Sequence, residues 1–394
     1  MADARSALLA LNVGSSSLKF AAFEAGPGLG LLCRGAVTTS GVEAGQVRVL
    51  DHERRTLAEE RWCETERAGE AVFHRLLERL GAWLGGRSLA GVGHRIVHGG
   101  DRRDAVRLDS AEITRLENLC PLAPLHQPQG LEGVRAVAAA RSDLPQTASF
   151  DTAFHADHRP PVNRFALPRR FEAEGVRRYG FHGLSYAYVA GRLAELDSGF
   201  AAGRVIVAHL GSGASLCALS AGRSVDTTMG FSALDGLVMA TRSGALDPGV
   251  VLYLQDRYGL DTTAVSDLLY RRSGLLGVSG LTGDMRALLD SPEPAAREAV
   301  ELFVFRVARE VGALAMTLGG LDGVVFTGGV GEHAAPVRSM ICERLQWLGA
   351  RIDEPANTSR REGSIAAAGS RLGLWVVPTD EERVVAGDLA RLLR

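Results

Sequence analysis

Two segments of this chain share one pattern of strand, small-residue turn and strand, and this repeat limits the possible folds more than any other feature. The first covers residues 8–23 with its turn beginning at Gly14, and the second covers residues 205–219 with its turn beginning at Gly211. A third apolar stretch runs into a glycine-rich turn within 324–332. Matching units about half a chain apart indicate a duplicated α/β architecture. Because glycines let backbone N–H groups approach an anion, we expect the turns to face a phosphate-rich ligand across a cleft.

Lys19 follows the first turn and is the only lysine in the chain, whereas the other long cationic side chains are all arginines. One ammonium group beside a Gly-Ser turn indicates a demand for a compact point charge at that position. An ordinary hairpin with a solvated lysine is the alternative that this segment leaves open when it is read alone.

Composition limits the class of protein. A chain of 394 residues is long enough for two domains, each with its own core. The net charge of −2 gives no electrostatic reason to expect nucleic acid or membrane binding. The five cysteines lack metal-like or disulfide-like spacing, so we expect reduced, buried thiols. No signal peptide or membrane-length apolar run is visible, which predicts a cytoplasmic protein.

Two arginines lie in glycine-bounded segments with no acidic neighbour in the sequence. Arg95 ends an apolar strand before Gly99 and Gly100. Arg242 lies in the loop 239–248, which contains Gly244 and ends at Pro248. Burying a guanidinium group without an anionic partner is costly, so each arginine predicts a bound anion. For Arg95, a structural ion pair is the alternative.

Asp151 directly follows a strand-like stretch, where a carboxylate is well placed to hold a hard cation. Asp151, His155 and His158 are alternatively candidate ligands of a metal-dependent hydrolase. His182 stands between glycines before a predicted helix at 186–196, where it either faces a ligand or has a structural role.

Nine short motifs, in register from residue 8 to about residue 385, together resemble the acetate kinase family. They are Asn12–Lys19, His94–Gly100, Phe150–His155, Gly180–Gly183, His209–Ser215, Thr241–Gly244, Gly283–Arg286, Phe326–Glu332 and Thr379–Glu382. Each motif alone is weak, but the ordered set is specific.

The resemblance implies an α/β fold of two duplicated ribonuclease-H-like domains, as in the sugar kinase, actin and chaperone-ATPase superfamily, with the active site in the interdomain cleft. It predicts an N-terminal domain at 1–150 and a C-terminal, nucleotide-binding domain at 151–381. The final helix, about 382–394, would pack on the first domain.

The resemblance also implies an activity. It predicts reversible, in-line transfer of a phosphoryl group from ATP to acetate, giving acetyl phosphate and ADP, with Mg²⁺ or Mn²⁺ and in a homodimer. Propionate or another short-chain carboxylate is the alternative substrate. A non-catalytic regulator of the same fold would be expected to have lost Arg95, Asp151 or Arg242, and all three are present.

The resemblance also implies roles for individual residues. Catalysis would involve Asp151, His182, Arg242 and Arg95, while Asn12 and Glu381 would position the metal together with Asp151. The nucleotide site would include Lys19, His209, Leu210, Gly211, Ser212, Gly213, Asp284, Met285, Arg286, Gly329, Val330, Gly331, Glu332 and His333. The acid would be enclosed by Arg95, Val97, Leu125, Phe181 and Ala233.

Five positions depart from the family pattern. Ser212 and His333 stand where the family usually has asparagine, and Gln127 also replaces an asparagine. Tyr186 replaces a histidine, and Ala233 replaces a proline in the acid pocket. These changes leave the charged groups in place but bear on donor preference and acid specificity.

Overall fold

The computed structural model describes residues 6–14, 17–26, 28–39, 41, 43–67, 69–124, 126–359 and 361–394. The chain divides into two compact units, 1–156 together with 380–394, and 157–379. Residues 151–156 and 380–381, which we assigned to the C-terminal domain from the sequence, group with the first unit.

The first unit is built on an eight-stranded sheet in the order β5-β4-β3-β2-β1-β6-β8-β7. Strands β1 to β3 pair antiparallel, whereas β6 runs parallel to β1 and β8 parallel to β6. The strands are β1 Ser6–Val13, β2 Ser17–Glu24, β3 Leu31–Thr38, β4 Gln46–Asp51, β5 Thr56–Arg61, β6 Ser88–Ile96, β7 Val106–Arg107 and β8 Gln146–Phe150.

Three helices pack against this sheet through their apolar side chains. The helices are α1 Gly69–Trp83, α2 Ser110–Glu117 and α3 Gln127–Ala140, with 3₁₀ turns at Cys120–Leu122 and Ala153–His155. Phe20 of β2 stacks on Trp83 with ring centroids 5.8 Å apart, inside a core that α1 and α3 close. This side of the unit is therefore a conventional hydrophobic core.

The second unit carries a six-stranded sheet in the order β11-β10-β9-β12-β14-β13. Its strands are β9 Arg204–Leu210, β10 Ala214–Ser220, β11 Arg223–Thr227, β12 Gly323–Thr327, β13 Gly363–Ser364 and β14 Gly373–Val376. Its helices are α4 Arg169–Ala173, α5 Gly183–Leu196, α6 Ser198–Ala201, α7 Pro248–Tyr258, α8 Thr262–Arg271, α9 Gly274–Ser279, α10 Met285–Asp290, α11 Pro294–Thr317, α12 Gly328–His333, α13 Ala335–Arg344 and α14 Glu354–Thr358, with a 3₁₀ turn at Gln346–Leu348.

The last helix of the chain, α15 Glu381–Leu392, belongs to the first unit and packs on β1, β2, β6 and β8. Gly93 on β6 makes this close approach possible, because a Cβ atom there would lie 2.6 Å from Val385 of α15. The start of α15 is thereby brought beside the ends of β1 and β6.

The two sheets share one topology. The order β3-β2-β1-β6-β8 in the first matches β11-β10-β9-β12-β14 in the second, with the same parallel and antiparallel pairings at each step. The duplication predicted from the repeated hairpins is therefore confirmed. Among the described helices, none is long and apolar enough to cross a membrane.

Candidate active site

In the first unit, Arg95 and Asp151 meet at one edge of the sheet. Arg95 lies near the end of β6 and Asp151 follows β8, and these strands are parallel neighbours, so their carboxyl ends coincide. Arg95 donates from Nε to Oδ1 of Asp151 at 3.1 Å and from Nη2 to Oδ2 at 2.6 Å. This two-pronged geometry matches a guanidinium fork to a carboxylate. Arg95 does have an acidic neighbour, which the sequence did not reveal.

Asn12 and Glu381 complete this cluster. Arg95 donates from Nη1 to Oδ1 of Asn12 at 2.9 Å, and Asn12 donates from Nδ2 to Glu381 at 3.1 Å and to Glu382 at 3.3 Å. Glu381 also lies 3.7 Å from Nε of Arg95. We call Asn12, Arg95, Asp151, Glu381 and Glu382 the arginine cluster.

The arginine cluster is electrostatically coupled. Burial opposes the charge on Arg95, but the carboxylates of Asp151 and Glu381 outweigh it and raise the pKa of Arg95 above its usual value. Burial, followed by the charge of Glu381, raises the pKa of Glu382. The cluster therefore holds a permanent cation next to several carboxyl groups.

Lys19 lies at the edge of the arginine cluster. It is directly opposite Asn12 in the antiparallel β1–β2 pair, so the two side chains share one face of the sheet. Its side chain is exposed, and its charge lowers the pKa of Glu382 against the larger effect of burial. Ser15 and Ser16, which complete the predicted turn, lie outside the described residues.

In the second unit, His182 and His209 stack with ring centroids 4.3 Å apart. His182 precedes α5 in a left-handed conformation, with φ of 58°, which is uncommon for a residue other than glycine. Nδ1 of His182 hydrogen-bonds Oγ of Ser215 at 2.9 Å, and Nδ1 of His209 bonds Oγ of Ser185 at 2.8 Å. Both rings are thus held in a set orientation.

Gly213, in the turn between β9 and β10, brings the backbone up to His182 and Arg242. A Cβ atom on Gly213 would lie 3.3 Å from Nε2 of His182 and 3.8 Å from Nη1 of Arg242. Arg242 is oriented by donating from Nη1 to the carbonyl of Ala233 at 3.0 Å. The glycine turn, a histidine and an arginine therefore converge on one region of the second unit.

Two glycine turns of this unit also approach each other. A Cβ atom on Gly211 would lie 3.9 Å from the amide nitrogen of Gly329. The carboxylate of Glu332 accepts from the N–H groups of Gly328 at 3.0 Å and Thr379 at 3.2 Å, which ties the third turn to the end of the unit. Glu332 thus has a structural role in addition to any contact with a nucleotide.

Arg338 supports the third glycine turn from within the protein. It is 1% exposed and donates to the carbonyl of Gly331 at 2.7 Å and to Asn357 through two further bonds. Burial lowers the pKa of its guanidinium group. We did not single out Arg338 from the sequence, because an arginine on a helix is usually exposed.

Most of the other predicted nucleotide-site residues lie in the same unit. Leu210 ends β9, and Ser212 accepts from the N–H of Ala240 at 3.0 Å through its backbone carbonyl. Asp284 caps α10 by accepting from the N–H of Ala287 at 2.9 Å, while Met285 is buried and Arg286 exposed. Val330 is partly buried and His333 exposed, within α12.

The residues predicted to enclose the acid belong to both units. Val97 is buried in the first unit, while Phe181 is buried and Ala233 half-buried in the second. Leu125 lies outside the described residues.

Two departures from the family pattern have a structural explanation. Gln127 is fully buried and holds the backbone of His98 through both its amide oxygen and its amide nitrogen, at 3.0 and 2.9 Å. Tyr186 is fully buried, and its hydroxyl lies 2.5 Å from Oγ of Ser215, the partner of His182. Ser215, the last residue of the motif His209–Ser215, lies opposite His209 in the β9–β10 pair.

The arginine cluster contains oxygen atoms of the kind that bind a hard cation. Asp151, Glu381 and Asn12 present carboxylate and amide oxygens, and Mg²⁺ typically uses one or two carboxylates together with phosphate oxygens and water. No closed group of three His, Cys, Asp or Glu side chains arranged for a metal occurs within the described ranges. Among the described residues Asp151, His155 and His158 do not form such a group, and His158 instead bonds Oγ of Ser224 at 2.8 Å.

Comparisons with known proteins identify the family of the chain. The model of the acetokinase family matches residues 7–387. A protein named acetate kinase from Rhodopseudomonas palustris is 48% identical over 98% of each chain. The structure of Porphyromonas gingivalis acetate kinase is 35% identical, with a TM-score of 0.85 and coverage of 99% of this chain and 100% of the other.

A second solved structure, described as a propionate kinase from Francisella tularensis, is 34% identical with a TM-score of 0.89, covering 97% of this chain and 98% of the other. The resemblance found in the nine motifs is confirmed by these matches over nearly the whole length. The chain belongs to the acetokinase family.

Proposed function

We propose that this protein transfers the terminal phosphoryl group of ATP to acetate, giving acetyl phosphate and ADP in a reversible reaction. The observation that carries the proposal is the arginine cluster, in which Arg95 is aligned by Asp151 and Asn12 beside Glu381. Its relatives named acetate kinase support the choice of acetate. Cytoplasmic location is part of the same proposal.

The chemistry requires little from acid–base catalysis. A carboxylate is already a nucleophile, so the protein must align the reactants and neutralise charge during in-line transfer. We assign Arg95 and Arg242 to the substrate carboxylate and the transferring phosphoryl group, because a guanidinium fork matches both. Lys19, the glycine turns and Asp284–Arg286 are assigned to the nucleotide.

His182 would donate a hydrogen bond to the phosphoryl oxygens. For Nε2 to carry the proton, Nδ1 must accept from Ser215, and Ser215 can then take part in its contact with Tyr186 only as the acceptor. The hydroxyl of Tyr186, 2.5 Å from Ser215, is placed to be that donor. The tyrosine that replaces the family's histidine would thus keep His182 in the useful tautomer.

Asp151, Glu381 and Asn12 would hold Mg²⁺ or Mn²⁺, which supplies charge neutralisation at the phosphates when bound. We expect activity to require added Mg²⁺ or Mn²⁺ and purified protein to carry no stoichiometric zinc, because all three residues offer oxygen donors. Rates measured with and without chelator, together with elemental analysis, test this. One tightly bound zinc per chain would favour a metal-dependent hydrolase instead.

A coupled assay of acyl phosphate formation with acetate, propionate and butyrate tests the proposed activity. We expect kcat/KM for propionate to lie within roughly tenfold of that for acetate, since one methylene in an apolar pocket is worth only about 1–3 kcal/mol. Ala233 occupies the family's proline position, and its carbonyl already orients Arg242. The solved propionate kinase relative supports this alternative substrate.

The variant Ala233→Pro is the matched control, because proline restores ring carbons and restricts φ. It should shift the preference toward acetate. A hundredfold preference for acetate in the unmodified protein, unchanged by proline, would contradict the permissive pocket. Failure to form any acyl phosphate with ATP would contradict the proposed function itself.

We further propose that the protein is a homodimer. Helix α7 has no buried residue, and Val250, Leu252, Tyr253 and Tyr258 on it are exposed. An apolar helix surface of this kind is typical of a protein–protein interface. A second copy of the chain is the partner that the family resemblance predicts.

A further inference from the structure

Lys19 is the only lysine of a chain that we propose makes acetyl phosphate, which is a reactive acyl donor. Acyl phosphates transfer their acyl group to unprotonated amines, whereas an arginine guanidinium remains protonated and does not react in this way. We propose that Lys19 is an acetylation site of this protein, modified by bound acetyl phosphate, and that the modification slows the enzyme. The inference rests on the proposed function, which supplies the acyl phosphate.

The position of Lys19 puts its amine within reach of the site. Lys19 and Asn12 are directly opposed on neighbouring antiparallel strands, so their Cβ atoms are about 4.5–5.5 Å apart on one face. Asn12 bonds Arg95 at 2.9 Å, and Arg95 is the residue assigned to the substrate carboxylate. The exposed side chain of Lys19 can therefore approach an acyl group held by Arg95.

The reaction balances without any further reagent. The lone pair of the unprotonated amine attacks the acetyl carbonyl carbon, and a C–N bond forms. The bond between the carbonyl carbon and the oxygen that bridges to phosphorus breaks, and inorganic phosphate leaves with the electron pair. The amine nitrogen loses a proton to solvent. The products are an uncharged amide at Lys19 and free phosphate.

Acetylation would change the electrostatics of the arginine cluster. Lys19 lies directly opposite Asn12, whose amide bonds the carboxylates of Glu381 and Glu382. An uncharged amide at position 19 removes the Lys19 cation from beside the acidic groups of the cluster. A positive group facing the phosphates would be lost at the same time.

The test is incubation of the full chain with added acetyl phosphate, without nucleotide, followed by mass spectrometry of its peptides. We expect acetylation of Lys19 at a rate that saturates with acetyl phosphate concentration, because the donor is bound before it reacts. Modified protein should lose at least about tenfold in acetyl phosphate–forming activity, as expected for loss of one aimed positive donor. In the variant Lys19→Arg, the acetyl phosphate–forming activity measured before the incubation should be unchanged after it.

A matched control moves the amine away from the cluster. Arg48 on β4 is exposed. Lys19 pairs with Ala36 of β3, and Ala36 pairs with Arg48, so the three residues form one row across the sheet. Lys19 is one strand away from Asn12 in this row, whereas Arg48 is three strands away. In Arg48→Lys, the amine at position 48 should react without saturation and more slowly than Lys19. Equal, linear rates at the two positions, or no acetylation of Lys19, would overturn the inference.

The two proposals fail separately. Because acetyl phosphate is added rather than made, acetylation of Lys19 is measured whether or not the protein phosphorylates acetate. A preparation that forms acetyl phosphate from ATP but leaves Lys19 unmodified contradicts only the acetylation site. Acetylation that leaves the rate unchanged contradicts the inhibitory effect.

Discussion

Replacing Arg242 by alanine should lower kcat for acetyl phosphate formation by about 10²–10³-fold while the protein remains folded. A preorganised donor aimed at developing charge has an effect of this size, and Arg242 is oriented by the carbonyl of Ala233 beside Gly213 and His182. The measurement is the initial rate at saturating substrates, with thermal unfolding to verify the fold.

The variant Arg242→Lys is the informative companion. It keeps the charge but loses the planar fork, so its rate should recover only a small part of the loss. If Arg242→Ala kept a kcat near that of the unmodified protein, Arg242 would have to be reassigned as a structural residue of its loop.

Arg95→Ala should affect both activity and stability. Activity should fall about as far as in Arg242→Ala, because the same kind of aimed donor is removed. In addition, Asp151 is only 1% exposed and would lose its ionic partner, which typically costs about 3–5 kcal/mol in the free energy of unfolding. Urea unfolding followed by circular dichroism measures this second effect.

The double variant Arg95→Ala with Asp151→Asn separates the two roles of Arg95. Replacing the Asp151 carboxylate, which Arg95 no longer neutralises, should restore part of the free energy of unfolding but none of the activity. A stable Arg95→Ala protein that had lost its activity would mean that Asp151 finds another partner. An active, destabilised one would make the ion pair purely structural.

The sequence could predict features that depend on short-range patterns. Apolar runs and turn residues identified the strands of both hairpins, and their repetition predicted the duplicated topology now seen in the two sheets. The helix predicted at 186–196 begins earlier, at Gly183, because His182 adopts the left-handed conformation that starts it. The thiols of Cys33, Cys217 and Cys342 are buried as expected, whereas Cys63 is exposed.

The candidate site was only partly predictable. The order of the motifs was enough to name the family, and parallel strands explain why Arg95 and Asp151 meet. The same reasoning could not show that they bind each other, because their nearest sequence neighbours are uncharged and the pairing depends on strand order. Nor could it separate Glu332, which holds two backbone N–H groups, from residues free to contact a ligand.

The sequence by itself determined the duplicated α/β fold, the family and the residue types of the site, since periodicity, turns and motif order are local properties. Only the tertiary structure placed Glu381 against Asn12, 369 residues away, because that contact depends on α15 packing closely on Gly93. It likewise placed Tyr186 on Ser215 and Arg338 under Gly331. Such contacts arise from how whole elements pack, and spacing along one chain carries no direct record of that.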